Sequence, residues 1–88
     1  MKPGTYNNIL RPAVEVMRFA VVFEETDNGW SAYAPDLPGL GAAASPLEET
    51  KQLLREAIEL HLDDLRATGQ PIPRAASQTD YVEVRIPV

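Results

Sequence analysis

The stretch Trp30–Gly41, Trp-Ser-Ala-Tyr-Ala-Pro-Asp-Leu-Pro-Gly-Leu-Gly, constrains this chain more than any other. It opens as an alternating strand, with Trp30, Ala32 and Ala34 on one face and Ser31 and Tyr33 on the other. It then meets Pro35 and Pro38, each of which fixes φ and lacks the N–H that a central strand must donate. Gly39 and Gly41 permit the positive φ that a sharp reversal needs. The stretch therefore reads as a strand that stops at a rigid corner and re-enters the sheet in a new direction. The segment on its N-terminal side must pair with that strand, and the segment on its C-terminal side must pack back onto it.

The N-terminal segment satisfies the first demand. Val14 to Glu25 is rich in Val and Phe, as a pleated surface prefers. Met17, Phe19, Val21 and Phe23 alternate with Val16, Arg18, Ala20 and Val22, so both faces are apolar near its middle. That pattern predicts a strand covered by a helix on one face and partly covered on the other, for example by a second subunit. Thr26-Asp27-Asn28-Gly29 reads as the hairpin turn, because Asn and Gly both tolerate positive φ. Leu40 to Ala44 is a short third strand of weak propensity.

The second demand falls to a helix. Ser45 is read as its N-cap, with Pro46 at the first helical position and Glu48 completing a capping box. The helix runs to about Thr68, with Gly69 as the residue that ends it. Leu47, Leu54, Ile58 and Leu65 form its central stripe, widened by Leu53, Ala57 and Leu60 on one side and Leu62 on the other. This face is broader than one small sheet needs, which favours a helix-mediated subunit contact through Leu53, Leu60 and His61. A lone His inside an apolar stripe is more often a core or interface residue than a ligand. There it could lend pH sensitivity to an oligomer. Residues 70–79 form a return loop, and Tyr81 to Ile86 alternates as a last strand that Pro87 ends. A strand that comes after a helical crossover is expected parallel to its sheet neighbour. The order is β-β-β-α-β, an α+β fold with a four-stranded sheet and one long helix on one face. Residues 1–13, with Pro3, Gly4 and Pro12, read as a flexible N-terminal arm, one that could be exchanged between subunits. Residues 14–88 read as a single domain.

Composition narrows the function. Eighty-eight residues suffice for one small domain. A core of that size favours oligomerisation, here a dimer or tetramer. With no Cys and one His, thiolate zinc sites, cysteine nucleophiles and Ser-His-Asp triads lose their residues. Thirteen acidic residues against eight basic ones give a net charge of −5, which disfavours direct nucleic-acid binding and favours a basic partner. No apolar run approaches the roughly 20 residues of a membrane span, and the first residues lack the apolar core of a signal peptide. A cytoplasmic protein without cofactor or metal is the expectation.

Several motifs together carry a resemblance. Asn28-Gly29-Trp30-Ser31-Ala32-Tyr33-Ala34-Pro35-Asp36-Leu37-Pro38-Gly39 is followed by Leu47-Glu48-Glu49 and Glu56-Ala57-Ile58-Glu59-Leu60-His61-Leu62, then by Gly69-Gln70-Pro71-Ile72-Pro73. This combination, within residues 17–88, resembles the HicB-like antitoxin family. The resemblance implies a reduced RNase H-like β-β-β-α-β sheet, in agreement with the order above. It also implies a role in neutralising HicA, a small basic mRNA-cleaving toxin with a double-stranded-RNA-binding-like fold. Many members carry a C-terminal ribbon-helix-helix or helix-turn-helix domain. This chain ends at Val88 and is expected to be a short stand-alone member without one. It departs from the common pattern at Leu40, where Cys is frequent, and at Ala44, Ser45 and Pro46 before the helix.

The candidate partner-binding residues are Glu24, Glu25, Asp27, Trp30, Tyr33 and Asp36. Glu24, Glu25 and Asp27 cluster at the hairpin and read equally as a solvated turn or as an acidic patch that steers a basic toxin. Trp30 and Tyr33 alternate, so one is expected toward the helix and the other on the open sheet face, as core and surface filler or as an aromatic anchor. Asp36 reads first as a side chain bonding the N–H groups of its own turn, second as a partner contact or metal ligand. A metal-dependent nuclease on this scaffold would need converging carboxylates, drawn from Glu15, Glu24, Glu25, Glu56, Glu59 or Glu83. Nothing in their spacing selects them, so no catalytic residue is expected. An orphan oligomer with a structural or regulatory role is the remaining alternative.

Overall fold

The computed structural model describes residues 16–88. Three strands, β1 (Val22–Thr26), β2 (Gly29–Tyr33) and β3 (Gly41–Ala44), form an antiparallel meander in the order β1-β2-β3. One helix, α1 (Leu47–Ala67), packs across β3 and β2. The arm expected over residues 1–13 lies outside the described residues, as does the start of the first strand at Val14 and Glu15.

The register divides the sheet's two faces. Phe23, Ala32 and Ala42 are aligned across the strands, and so are Glu25, Trp30 and Ala44. These residues share the face of the buried Ala32, against which α1 packs. Val22, Tyr33 and Gly41 are aligned on the opposite, open face. Small side chains on β2 and β3 let the helix sit close to the sheet. The buried hydrophobic residues are Ala32, Ala34, Leu37 and Leu54.

The proline-rich corner consists of two consecutive turns. The Leu37 N–H donates to the Ala34 carbonyl at 3.0 Å, with Pro35 in the first central position. The Leu40 N–H then donates to the Leu37 carbonyl at 3.3 Å, with Pro38 and Gly39 between them. Gly39 has φ 88°, the value a type II turn demands at that place. Of the two glycines expected to serve the reversal, only Gly39 takes a positive φ; Gly41 opens β3. Leu37, shared by both turns, is 1% exposed.

The β1–β2 hairpin differs from its expected form. Thr26 is opposite Gly29, so Asp27 and Asn28 are the turn's central residues. No described non-glycine residue has positive φ, so the primed turn is not made. Gly29 is required for a different reason. A Cβ there would collide with the Ala44 carbonyl oxygen and lie 2.7 Å from the Ser45 Cα, where β2 begins and β3 ends.

The helix start also departs from expectation. Pro46, extended at ψ 145°, is the N-cap, and no side chain caps the helix. The helix therefore begins one residue later than the capping box requires, which leaves Ser45 out of reach of the first free N–H groups. Thr50, fully buried, ties this end down instead. Its Oγ1 lies 3.0 Å from the Pro46 carbonyl oxygen and 3.2 Å from that of Ala44, joining the first turn of the helix to the end of β3. The other end agrees with the sequence. Gly69, at φ 73°, donates to the Arg66 carbonyl at 3.1 Å, and the Gln70 N–H donates to Leu65 at 2.8 Å, a Schellman closure.

Two strand assignments are corrected. The first strand begins at Val22 because β2 ends at Tyr33 and offers residues 16–21 no ladder partner. The fourth strand expected over Tyr81–Ile86 is absent: residues 70–88 belong to no helix or strand, and residues 81–88 are exposed. The alternation is present in the sequence, but a strand also needs an edge to pair with, and none meets this segment. The helical stripe is corrected at Leu47, which is 37% exposed, and at Thr50, which occupies the buried position beside Leu54.

These exposures lead to a contrast between two leucines of one helix. Leu54 is 1% exposed and Leu60 is 73% exposed. Leu54→Ala is expected to cost about 2–5 kcal/mol of unfolding free energy. Leu60→Ala is expected to stay within about 0.5 kcal/mol when the isolated subunit is unfolded in urea.

Candidate partner-binding surface

Glu24, Glu25 and Asp27 lie together in sequence at the tip of the β1–β2 hairpin, and all three are exposed. The ladder separates their directions. Glu24 pairs with Ser31 on the open face, Glu25 pairs with Trp30 on the helix side, and Asp27 occupies the turn. Their charges still add at a distance, because a basic body approaching the tip meets all three. Trp30 is half-buried on the helix side. Tyr33 is on the open face opposite Val22 and is 43% exposed. The aromatic pair is thus divided as the alternation requires. Of the six candidates, Glu24 and Tyr33 share the open face, and Glu25 and Trp30 share the other.

Asp36 is at the far end of the sheet, in the proline corner. Its carboxylate does not bond its own turn. Oδ2 accepts the Ala76 N–H at 2.9 Å and the Ser77 N–H at 2.8 Å, and Oδ1 accepts the Ser77 hydroxyl at 2.7 Å. Asp36 therefore straps the return segment to the corner, across a separation of 41 residues. These bonds hold its carboxyl below the ordinary carboxylate range. The Ser77 N–H contributes most and the Ser77 hydroxyl next; partial desolvation opposes them, and the Ala76 N–H adds a smaller push. The sequence carried no signal for Ser77, since an unremarkable Ser in a loop has no spacing that points to a carboxylate so far away.

Two recesses flank the helix. Leu60, His61 and Ala57 meet Leu40 and Asp64 in a shallow recess of about 490 Å³. Leu53, 41% exposed, lies beyond it, so the residues read as an oligomer surface have Leu53 and Leu60 open to solvent and His61 half-buried. The second recess is larger, a groove of about 970 Å³ on the opposite flank. Met17, Phe19 and Val21 line it from the segment entering β1, and Leu54, Ile58 and Leu62 line it from α1. The sequence placed a helix over one face of the first strand without selecting which. The groove exists because α1 crosses β2 and β3 and leaves the β1 side uncovered.

Among the described residues, no three His, Asp or Glu side chains converge as a metal-binding group. Glu24 and Glu25 diverge across the sheet, and Glu83 is on the unpaired segment. No described helix is long and apolar enough to cross a membrane.

The family model for the HicB-like antitoxin of bacterial toxin-antitoxin systems matches residues 19–85, which span all three strands, α1 and most of the segment after it. The chain belongs to the HicB-like antitoxin family. A UPF0150 protein of Synechocystis sp. is 36% identical over 61 residues, covering 68% of this chain and 77% of that protein. A UPF0150 protein of Archaeoglobus fulgidus is 40% identical over 48 residues, 53% of this chain and 70% of its own length. A third, from Helicobacter pylori, is 39% identical over 51 residues, 58% of this chain and 71% of the relative. No solved structure matches the chain significantly.

In this HicB-like chain the Asp36 strap has a defined pH dependence. A carboxyl whose pKa is lowered by folding contributes stability above its unfolded-state value and loses it as pH falls through the folded value. The strap should therefore persist through the ordinary Asp value of about 3.9 and release only below it. The amide shifts of Ala76 and Ser77 should trace one titration with a midpoint under that value, and Asp36→Ala should abolish it. A midpoint at or above the ordinary value would contradict the hydrogen bonding described.

Proposed function

We propose that this chain is an antitoxin-type binding protein that neutralises a small, basic, mRNA-cleaving toxin of the HicA type by covering its active surface. Membership of the HicB-like antitoxin family is the observation that carries the reading. The net charge of −5, with Glu24, Glu25 and Asp27 exposed on one hairpin, suits a basic partner. The role is complementarity rather than catalysis, and it needs no cofactor. It places the protein in the cytoplasm, where a toxin that cleaves mRNA meets its substrate. Tyr33 and the open face around it would supply an uncharged contact beside the acidic tip. The reduced RNase H-like sheet belongs to the same reading, with residues 81–86 carrying the pattern of its fourth strand.

The test is retention from the protein's own cell lysate. Tagged wild-type protein should hold a small basic protein at low salt and release it at high salt, since exposed charge pairs are screened. The triple variant Glu24→Lys, Glu25→Lys, Asp27→Lys should lose that protein while keeping the helical circular dichroism of the wild type. Recovery of the chain alone would reject toxin masking and leave an orphan member of the family.

A further inference from the structure

The chain after α1 is held to the body of the molecule at very few points. Among the described residues, the only hydrogen bonds that tie residues 71–88 to the sheet or to α1 are those at Asp36, from the Ala76 N–H, the Ser77 N–H and the Ser77 hydroxyl. Upstream, Gln70 is fixed by its bond to the Leu65 carbonyl. Ile72 and Pro73 are half-buried, and Ile72 lines the groove beside α1. Downstream of Ser77 every residue is exposed. Residues 70–77 are thus pinned at both ends, and residues 78–88 at one end only.

The pin at Ser77 combines a rigid mount with bonds that water can reach. Asp36 occupies the second central position of the turn that Leu37 closes onto Ala34, with Pro35 fixed before it and Leu37 buried after it. The mount therefore belongs to the core. Ala76 and Ser77 are exposed, so water competes for both partners of each bond. Breaking the bonds disturbs no ladder and no helical turn. With the strap open, only the half-buried Ile72 and Pro73 still hold residues 71–75.

We propose that the Asp36–Ser77 strap is a latch, which opens to release residues 71–77 as one unit while the sheet and α1 stay folded. Open, it lengthens the free C-terminal run from residues 78–88 to residues 71–88 and bares the Asp36 carboxylate. Closed, it keeps that carboxylate occupied. Oδ2 already accepts two N–H groups, so a guanidinium cannot take both oxygens until the latch opens. The latch thereby decides whether Asp36 serves as a strap or as an open charge at the corner. It does not depend on the toxin reading.

Trypsin digestion of the purified full-length chain tests it. Cleavage after Arg74 requires the open state, because Arg74 lies between the Ile72–Pro73 seat and the strap. Cleavage after Arg85, in the free part, does not. In the wild type the cut after Arg85 should be about tenfold faster than the cut after Arg74, with Lys51, Arg55 and Arg66 of α1 the slowest. Asp36→Ala should raise the Arg74 rate about tenfold and leave the Arg85 and α1 rates unchanged. Ser77→Ala, placed outside the sheet and the helix, should raise it roughly threefold through the loss of one bond, and Ser77→Thr should keep the wild-type rate. Equal rates after Arg74 and Arg85 in the wild type would overturn the proposal. An Arg74 rate indifferent to both Asp36→Ala and Ser77→Ala would overturn it too, as would α1 sites that accelerate together with Arg74 in Ser77→Ala.

Discussion

Leu37 joins two turns and is buried where they meet, so the whole chain depends on reversing direction around one apolar side chain. Pro35 and Pro38 stiffen the reversal from both sides of it, and Gly39 supplies the one backbone conformation that other residues resist. This corner sets where β3 pairs with β2. That pairing brings Ala44 to the start of β2, where only Gly29 leaves room. Thr50 then ties the first turn of α1 to Ala44, so the position of the helix is inherited from the corner through two short-range contacts. The corner also carries Asp36, and through it the return segment. Strand order, helix placement and the root of the C-terminal segment all refer to the same five residues, Pro35 to Gly39.

A consequence of that placement is an unevenly covered sheet. With α1 over β3 and β2, the β1 side keeps an open groove whose apolar floor is rimmed by charged side chains such as Arg18, Lys51 and Glu59. Only four hydrophobic residues are buried among those described. A single small core contributes little net stability.

What the sequence disclosed was the local part. The corner, the existence of the hairpin, the helix to within a residue or two and its Gly69 closure each rest on residues adjacent in the chain, where turn chemistry and periodicity operate. What it concealed depends on distance. Asp36 and Ser77 meet because the fold brings them together, and no spacing rule links them. Thr50 has no place in the apolar periodicity, because what lets it be buried is the pair of carbonyls, of Ala44 and Pro46, that take its hydroxyl. Residues 81–86 alternate as a strand does but enter no ladder in the structure, since a pattern states what a segment can pair with and not whether a partner is present. The six candidate contact residues were divided by the ladder for a similar reason: neighbours in sequence alternate across a sheet.

In the proposed reading, function rests on surface rather than chemistry. Glu24 and Tyr33 lie on the open face of the sheet, opposite α1, so a basic partner can reach them without displacing the helix. The most direct test of toxin masking is a titration of RNA cleavage. The basic protein retained by this chain is incubated with an mRNA substrate while the chain is added in increasing amounts. Masking predicts that cleavage falls in proportion to the chain added, ends at stoichiometric saturation, and returns at high salt. Cleavage that continues unchanged in the presence of saturating chain would contradict it.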